Sequence, residues 1–317
     1  MQQPMASTLI DADAGVFRRD FNRASFAVRH NLTDHPLFEL SRLAQVAQRL
    51  LERGGPDKFV ALGARATQTA TKFTDMPRLA ALADTVRHID EIGSWMKLSQ
   101  VNQVDPEYHA LMEALVLEIE QYAKRPLRSD ITWPILTIFL ASPRIVTPYH
   151  IDHESNFLLQ IKGEKDVCLF DGLDPSVLSI EEIERFYSGN AEAALYREEV
   201  QSRGTTYCLV PGTGVHHPPL APHWVRNGES VSISVSVSFC LRPFDRAAKI
   251  HQVNFMLRRL GLRPTPPGGG TLRDEAKVMT MRLVSKPFPR TRSEMLFSGV
   301  RRLAVPVGVM RRAMRFT

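Results

Sequence analysis

The hydrophobic positions of this chain change their period near residue 130. Before it, apolar residues recur at helical spacing; after it, they fall in short runs and alternations. Phe38, Leu40, Leu43, Val46, Leu50 and Leu51 follow the start signal Asp34-His35-Pro36 and predict a first helix. A second is expected over 77–92, with Pro77 in the first turn, where a missing N–H costs nothing. A third is expected over 106–124, with Asp105 as N-cap and Pro106 at the first helical position. Its stripe is Leu111, Leu115, Val116 and Ile119, and Arg125-Pro126 stops it.

Strands are expected at 133–142, 157–161, 165–170, 205–210 and 230–241. In the last, Ser232, Ser234, Ser236 and Ser238 alternate with Val231, Ile233, Val235 and Val237, which sets a polar face against an apolar one. A short helix over 179–187 carries a capping-box signature in Ser179 and Glu182. Strands of similar length separated by turns point to a double-sheet antiparallel barrel, a mainly β fold with helical additions. A helix over 244–260 ends at Gly261, and a Pro/Gly linker occupies 264–270. Residues 271–317 show no long core-forming pattern. The expected regions are thus 1–129, mainly helical and packed on the barrel; 130–241, the barrel core; and 242–317, a helix and tail.

Charge sharpens the last boundary. Of the net +6, residues 242–317 hold 17 Lys/Arg against 4 Asp/Glu, while the rest holds 23 against 30. A basic tail therefore follows an acidic body. On a helical wheel of 299–316, Val300, Leu303, Val307, Met310 and Met314 gather on one side, and Arg301, Arg302, Arg311, Arg312 and Arg315 fall largely on the other. Pro306 interrupts that helix. Such a segment suits an anionic membrane surface or an acidic partner, with nucleic acid the less expected one. No apolar run approaches the roughly 18 residues of a membrane span. The N-terminal residues lack the basic-then-apolar order of a secretory signal, so the expected location is cytoplasmic, or peripheral to a membrane through the tail. Cys168, Cys208 and Cys240 lie far apart in strand-like runs and read as reduced thiols.

The chemistry concentrates in two stretches. In His150-Ile151-Asp152, residues two apart on a strand or its end project to one side, so an imidazole and a carboxylate can meet one metal ion. HxD alone is a weak signal and needs a later histidine; His216, His217 and His223 are available. The text Pro211-Gly212, a short strand, the turn Pro218-Pro219-Leu220-Ala221-Pro222 and then His223-Trp224-Val225 place His223 at the mouth of a barrel. Two histidines and one carboxylate leave open coordination positions, the arrangement of non-haem iron oxygenases. His216 and His217 remain rivals for the third position, otherwise lining the cavity mouth or packing. His153 and Glu154 are expected to be solvated or to face a substrate, and Trp224 to pack.

The stretch from Thr147 through His150, Asp152, Asn156, Gln160-Ile161 and Gly163 to Lys165, with the later Pro-Gly…Pro…His223-Trp224-Val225, resembles the core of JmjC/cupin-like 2-oxoglutarate oxygenases. It is especially similar to the asparaginyl hydroxylases that act on hypoxia-inducible factor. The resemblance covers about residues 130–241. It implies a double-stranded β-helix, an Fe(II) ion held by His150, Asp152 and His223, and 2-oxoglutarate as cosubstrate. It also implies that Lys165 binds the distal carboxylate of the keto acid, that Thr147 adds a hydroxyl there, and that Asn156 supports the chelating end. Ser238 stands where those hydroxylases carry an Asn, and a hydroxyl replaces one amide contact but not two.

The expected activity is hydroxylation of a C–H bond in a peptide or protein side chain or in a small molecule. The alternatives are a non-oxidative metallo-cupin (an isomerase or ligand-binding barrel), a hydroxylase of lipid-linked substrates at a membrane surface, and a binding protein on a degenerate scaffold. The helix over 244–260 is expected to cover the barrel or to dimerise.

Overall fold

The structure, a computed structural model, describes residues 8–54, 60–63, 86, 88–91 and 93–313. The helix expected over 77–92 lies almost wholly outside the described residues. The N-terminal region contains β1 (Ile10–Asp11), α1 (Ala14–Asp20), β2 (Phe26–His30), α2 (Leu40–Gly54), β3 (Val60–Gly63), β4 (Trp95–Leu98) and α3 (Pro106–Ala123). The barrel follows as β5 (Ile131–Ala141), β6 (Val146–His150), β7 (Ser155–Lys162), β8 (Lys165–Leu169), an excursion through α4 (Ile180–Tyr187), β9 (Thr205–Leu209), β10 (Thr213–His217), β11 (His223–Asn227) and β12 (Ser232–Leu241). The chain ends with α5 (Arg242–Arg259), α6 (Thr271–Val284) and α7 (Arg292–Ala313).

The strands form two sheets, ordered β1-β2-β10-β7-β12-β5-β4-β3 and β6-β11-β8-β9. Within them β5–β12 make a jelly roll: β10-β7-β12-β5 face β6-β11-β8-β9, the strand order of a double-stranded β-helix. The N-terminal region is not helical alone. Its strands extend the larger sheet at both edges, β2 against β10 and β4 against β5, which covers backbone that would otherwise be an open edge.

Local signals explain several elements. Asp105 caps α3 by accepting from the Glu107 N–H at 3.0 Å, and Tyr108, Leu111, Met112, Leu115, Val116 and Ile119 form the buried stripe. The Asp105 carboxylate also binds Arg42, at 2.6 Å, and Arg49, both on α2. One buried acid thus caps one helix and ties a second to it. Asp105→Ala is expected to lower unfolding stability by about 2–4 kcal/mol, from the lost cap and the lost ion pairs to Arg42 and Arg49, of which Arg42 keeps Glu107. Urea denaturation checks this; an unchanged midpoint would show that solvent replaces both contacts without loss.

The turn from β7 to β8 requires Gly163. Its φ is +70°, and a Cβ there would lie 2.2 Å from the Val231 carbonyl oxygen. That close approach sets the start of β8, and with it the position of Lys165. Every residue of β12 is buried. Its serine face is therefore a polar lining of the barrel, in register with Asn156, Leu158 and Gln160 of β7.

The chain divides into two compact units, one of residues 1–171 and 196–240 and the other of 172–195 and 241–317. Residues 172–195, which sequence reading set inside the barrel region, thus join the C-terminal helices. The Ser179–Glu182 capping box is present at the start of α4. Gln252 of α5 donates to the Tyr187 carbonyl at 3.2 Å, and Arg258 pairs with Glu184 at 2.7 Å. Residues 271–317, expected to lack a core-forming pattern, supply α6 and α7, whose Met281 and Val300 close a small core with Met256. Helix α7 also runs through Pro306. Val300, expected on a free apolar face, is fully packed in this core with Leu303 against it.

Candidate metal centre

Strands β6 and β11 pair antiparallel, with His150 directly opposite His223. The register shifts between His223 and Val225, an irregularity of the kind that re-aims side chains beside a site. The two imidazoles stand with centroids 4.1 Å apart. Asp152, just past the end of β6, brings its Oδ2 to 3.8 Å from the Nε2 of each. The ligand atoms of all three lie within 4.8 Å of one another.

Hydrogen bonding selects the tautomers. His150 Nδ1 donates to the Pro148 carbonyl at 2.7 Å, and His223 Nδ1 donates to the Ala221 carbonyl at 3.0 Å. Each ring then presents a lone pair on Nε2, towards Asp152. Burial, reinforced by the neighbouring His150, lowers the His223 pKa to about 4 and keeps that ring neutral. Donors at about 2.1 Å from one metal ion lie roughly 3 Å apart when adjacent, and the 3.8 Å separations of Asp152 from the two imidazoles exceed that spacing by less than about 1 Å. Two imidazoles and one carboxylate, the last 45% exposed, leave one side open. The donor set fits a divalent transition metal.

Lys165, the first residue of β8, is buried, and its Nζ donates to Ser234 Oγ of β12 at 2.8 Å. No carboxylate pairs with it among the described residues. Burial alone pushes its pKa from 10.5 down to about 7. A buried amine with one neutral partner is a site that an incoming carboxylate would complete. Beside it, Gln160 Nε2 donates to Ser232 Oγ at 2.9 Å, while Gln160 Oε1 is buried without a hydrogen-bond partner. Gln160 was read only as part of a motif; its period-2 relation to Asn156 is the signal that it lines the barrel.

The other sequence-derived residues fall as follows. Thr147 lies on β6 opposite Val225. Asn156 lies on β7 opposite both His217 and Ser238, and its Oδ1 accepts from Ser236 Oγ at 2.7 Å. Ser238 directs its hydroxyl to the Ile135 carbonyl at 3.3 Å. Trp224 packs inside and donates to Gln201 Oε1 at 3.3 Å. His153 and Glu154 are both buried, which removes the solvated alternative for them.

The adjacent His216 and His217 point to opposite faces of β10. His216 packs against Phe21, Phe26 and Phe157, donates from Nδ1 to the Asn156 carbonyl and accepts at Nε2 from the Asn22 N–H, both at 3.0 Å. Both of its nitrogens serve the fold. His217 turns the other way, edge-on to His223 with centroids 4.8 Å apart. It is buried, with no hydrogen-bond partner on either ring nitrogen. Burial first, then His223 and His216, hold its pKa well below the ordinary 6.5.

No protein-family model and no curated protein matches the chain. Among solved structures it is similar to ycfD of E. coli, at 13% identity and a TM-score of 0.49, over 89% of this chain and 68% of that one. It is also similar to YcfD, a ribosomal oxygenase from Escherichia coli, in complex with cobalt and 2-oxoglutarate (16% identity, TM-score 0.48, 86% and 66% of the two chains). The same protein with cobalt and succinic acid gives 16%, 0.48, 89% and 67%. This chain thus spans about two thirds of the length of those structures. Its own strand order makes the barrel a double-stranded β-helix, and residues 147–165 and 211–225 are where it resembles the JmjC/cupin oxygenases.

Proposed function

We propose that the protein is an Fe(II)- and 2-oxoglutarate-dependent oxygenase that hydroxylates a C–H bond, in a peptide or protein side chain or in a small molecule. The observation that carries this reading is the pairing, inside one barrel, of a two-histidine, one-carboxylate cluster with a buried lysine that has no anionic partner among the described residues. A structural metal site has no use for that amine; a chelating dicarboxylate does.

His150 and His223 bind through Nε2, oriented by their Nδ1 bonds to the backbone, and Asp152 completes the triad from the open side. Lys165 and Ser234 hold the distal carboxylate of the keto acid. Asn156, steadied by Ser236, is positioned near the chelating end. When bound, the iron and 2-oxoglutarate supply activation of dioxygen coupled to decarboxylation of the keto acid. The barrel excludes water around them, and the exposed flank of Asp152 marks where a substrate enters.

Anaerobic protein with Fe(II) and 2-oxoglutarate is expected to develop a weak visible charge-transfer band. With oxygen and substrate it is expected to release succinate and a product heavier by one oxygen atom. If neither band nor succinate forms while zinc copurifies tightly, the oxygenase reading fails.

His217 favours one other reading, a non-oxidative metallo-cupin with a third imidazole on the metal. The oxygenase reading expects His217→Ala to keep stoichiometric Co(II) binding, with an affinity change no larger than the roughly 10–100-fold of residues that support ligands. Titration calorimetry checks this. Complete loss of binding would make His217 a ligand and move the metallo-cupin ahead.

A further inference from the structure

Helix α6 has two apolar faces on opposite sides. Val278 and Met281 turn into the core of the helical unit. On the other side Leu272 is 87% exposed, Met279 60% and Leu283 84%. Their spacing of seven and four residues, with exposed Ala276 between, makes one stripe along the helix. Phe288, just past its end, is 84% exposed. One exposed leucine is ordinary in a folded protein; four large apolar side chains at the surface within 17 residues are a patch.

The charge around this patch has one sign. Exposed Arg273 and Arg282 flank the stripe on either side, and Arg290, Arg301 and Arg302 are exposed as well. Residues 261–317 hold 12 Lys/Arg and only 3 acids. Each of those acids is already engaged: Asp274 is buried and accepts from the Gly268 N–H, Glu275 pairs with Arg246, and Glu294 pairs with Lys286. The positive charge beside the stripe is therefore uncompensated.

We propose that the exposed face of α6, with Phe288, seats the protein on an anionic lipid surface. Apolar side chains along one line with cations on both flanks are what a helix lying in a membrane interface needs, since the stripe enters the acyl boundary while the arginines meet headgroup phosphates. A second copy of the chain is a poorer occupant, because it would bring the same cations against each other. The surface differs from the one the sequence pointed to: Val300 of the expected stripe is used inside the bundle, and α6 offers the free face.

The test uses the full chain and vesicles of phosphatidylcholine, with and without about a third phosphatidylserine. The wild type is expected to co-sediment with the anionic vesicles, less so in high salt, and to stay in solution with phosphatidylcholine alone. The triple variant L272S/M279S/L283S keeps every charge and alters only surface side chains, so its circular dichroism and melting should be unchanged. Its partitioning onto anionic vesicles should fall by at least about tenfold. Three results overturn the proposal: no wild-type binding to anionic vesicles, equal binding to both vesicle types, or a triple variant that binds like wild type through the basic tail alone. A wild-type dimer that the variant converts to monomer also overturns it, in favour of self-association. None of these residues belongs to the metal centre, so failure here leaves the oxygenase reading untouched.

Discussion

His223→Ala is expected to abolish stoichiometric Co(II) and Fe(II) binding, and with it the turnover proposed above. The triad has three protein donors, and removing His223 leaves only His150 and Asp152, two groups joined by a short strand end. The expected loss of metal affinity exceeds the roughly 10–100-fold that outer supporting residues cost. Because His223 is buried on β11, His223→Gln serves as a second variant that fills the space and keeps a polar tip. It should fold like wild type and still bind metal poorly. Calorimetric titration with Co(II) reads the result directly. Wild-type stoichiometry in both variants would remove His223 from the site and return His217 as the candidate across from His150.

Lys165→Met separates the cosubstrate from the metal. The variant should keep its metal, since Lys165 is not a donor, but bind 2-oxoglutarate roughly 10²–10⁴-fold more weakly. The basis is the cost of burying a carboxylate without its cationic partner, about 3–5 kcal/mol. The free variant should also be more stable than wild type, because a buried amine held by one serine is replaced by an apolar chain of similar length. Opposite changes in stability and cosubstrate affinity are what a ligand-binding lysine gives; a purely structural lysine would lose stability.

The same lysine sets a pH dependence. Burial lowers its pKa to about 7 in the folded protein from an ordinary 10.5. Between those values the unfolded chain binds the extra proton, so the free protein gains stability as pH rises from about 7 towards 10.5. Carboxylate binding needs the ammonium form, so above about pH 7 each binding event takes up a proton. The dissociation constant should then rise up to about tenfold per pH unit. A flat profile between about pH 7 and 9, or the same slope in Lys165→Met, would exclude Lys165 as the titrating partner.

Local chemistry was legible in the chain. Asp105-Pro106 and Ser179…Glu182 announce helix starts because a cap needs only its own next three residues. The long strand β12 shows its period because it has enough residues to alternate, while β5 and β7 show only as apolar runs. The five-residue strands β6, β10 and β11 are too short for alternation to stand out, yet they carry or adjoin His150, His217 and His223. The last two helices set Met281, Val284, Phe297, Val300 and Leu303 into their core amid many basic residues, so composition reads that stretch as a tail.

From the sequence alone came the residue types, their order and the pairing of His150 with Asp152, since a spacing of two fixes a shared side on an extended chain. The text around His223 pointed to it among the distant histidines, but only the tertiary structure brings it opposite His150, because that depends on β6 lying beside β11 in antiparallel register. It also turned His216 into the aromatic packing and His217 towards the metal cluster, as adjacent strand residues must diverge. Only the folded barrel buries Lys165 away from any carboxylate partner among the described residues, and burial, not identity, is what makes that amine need an anion.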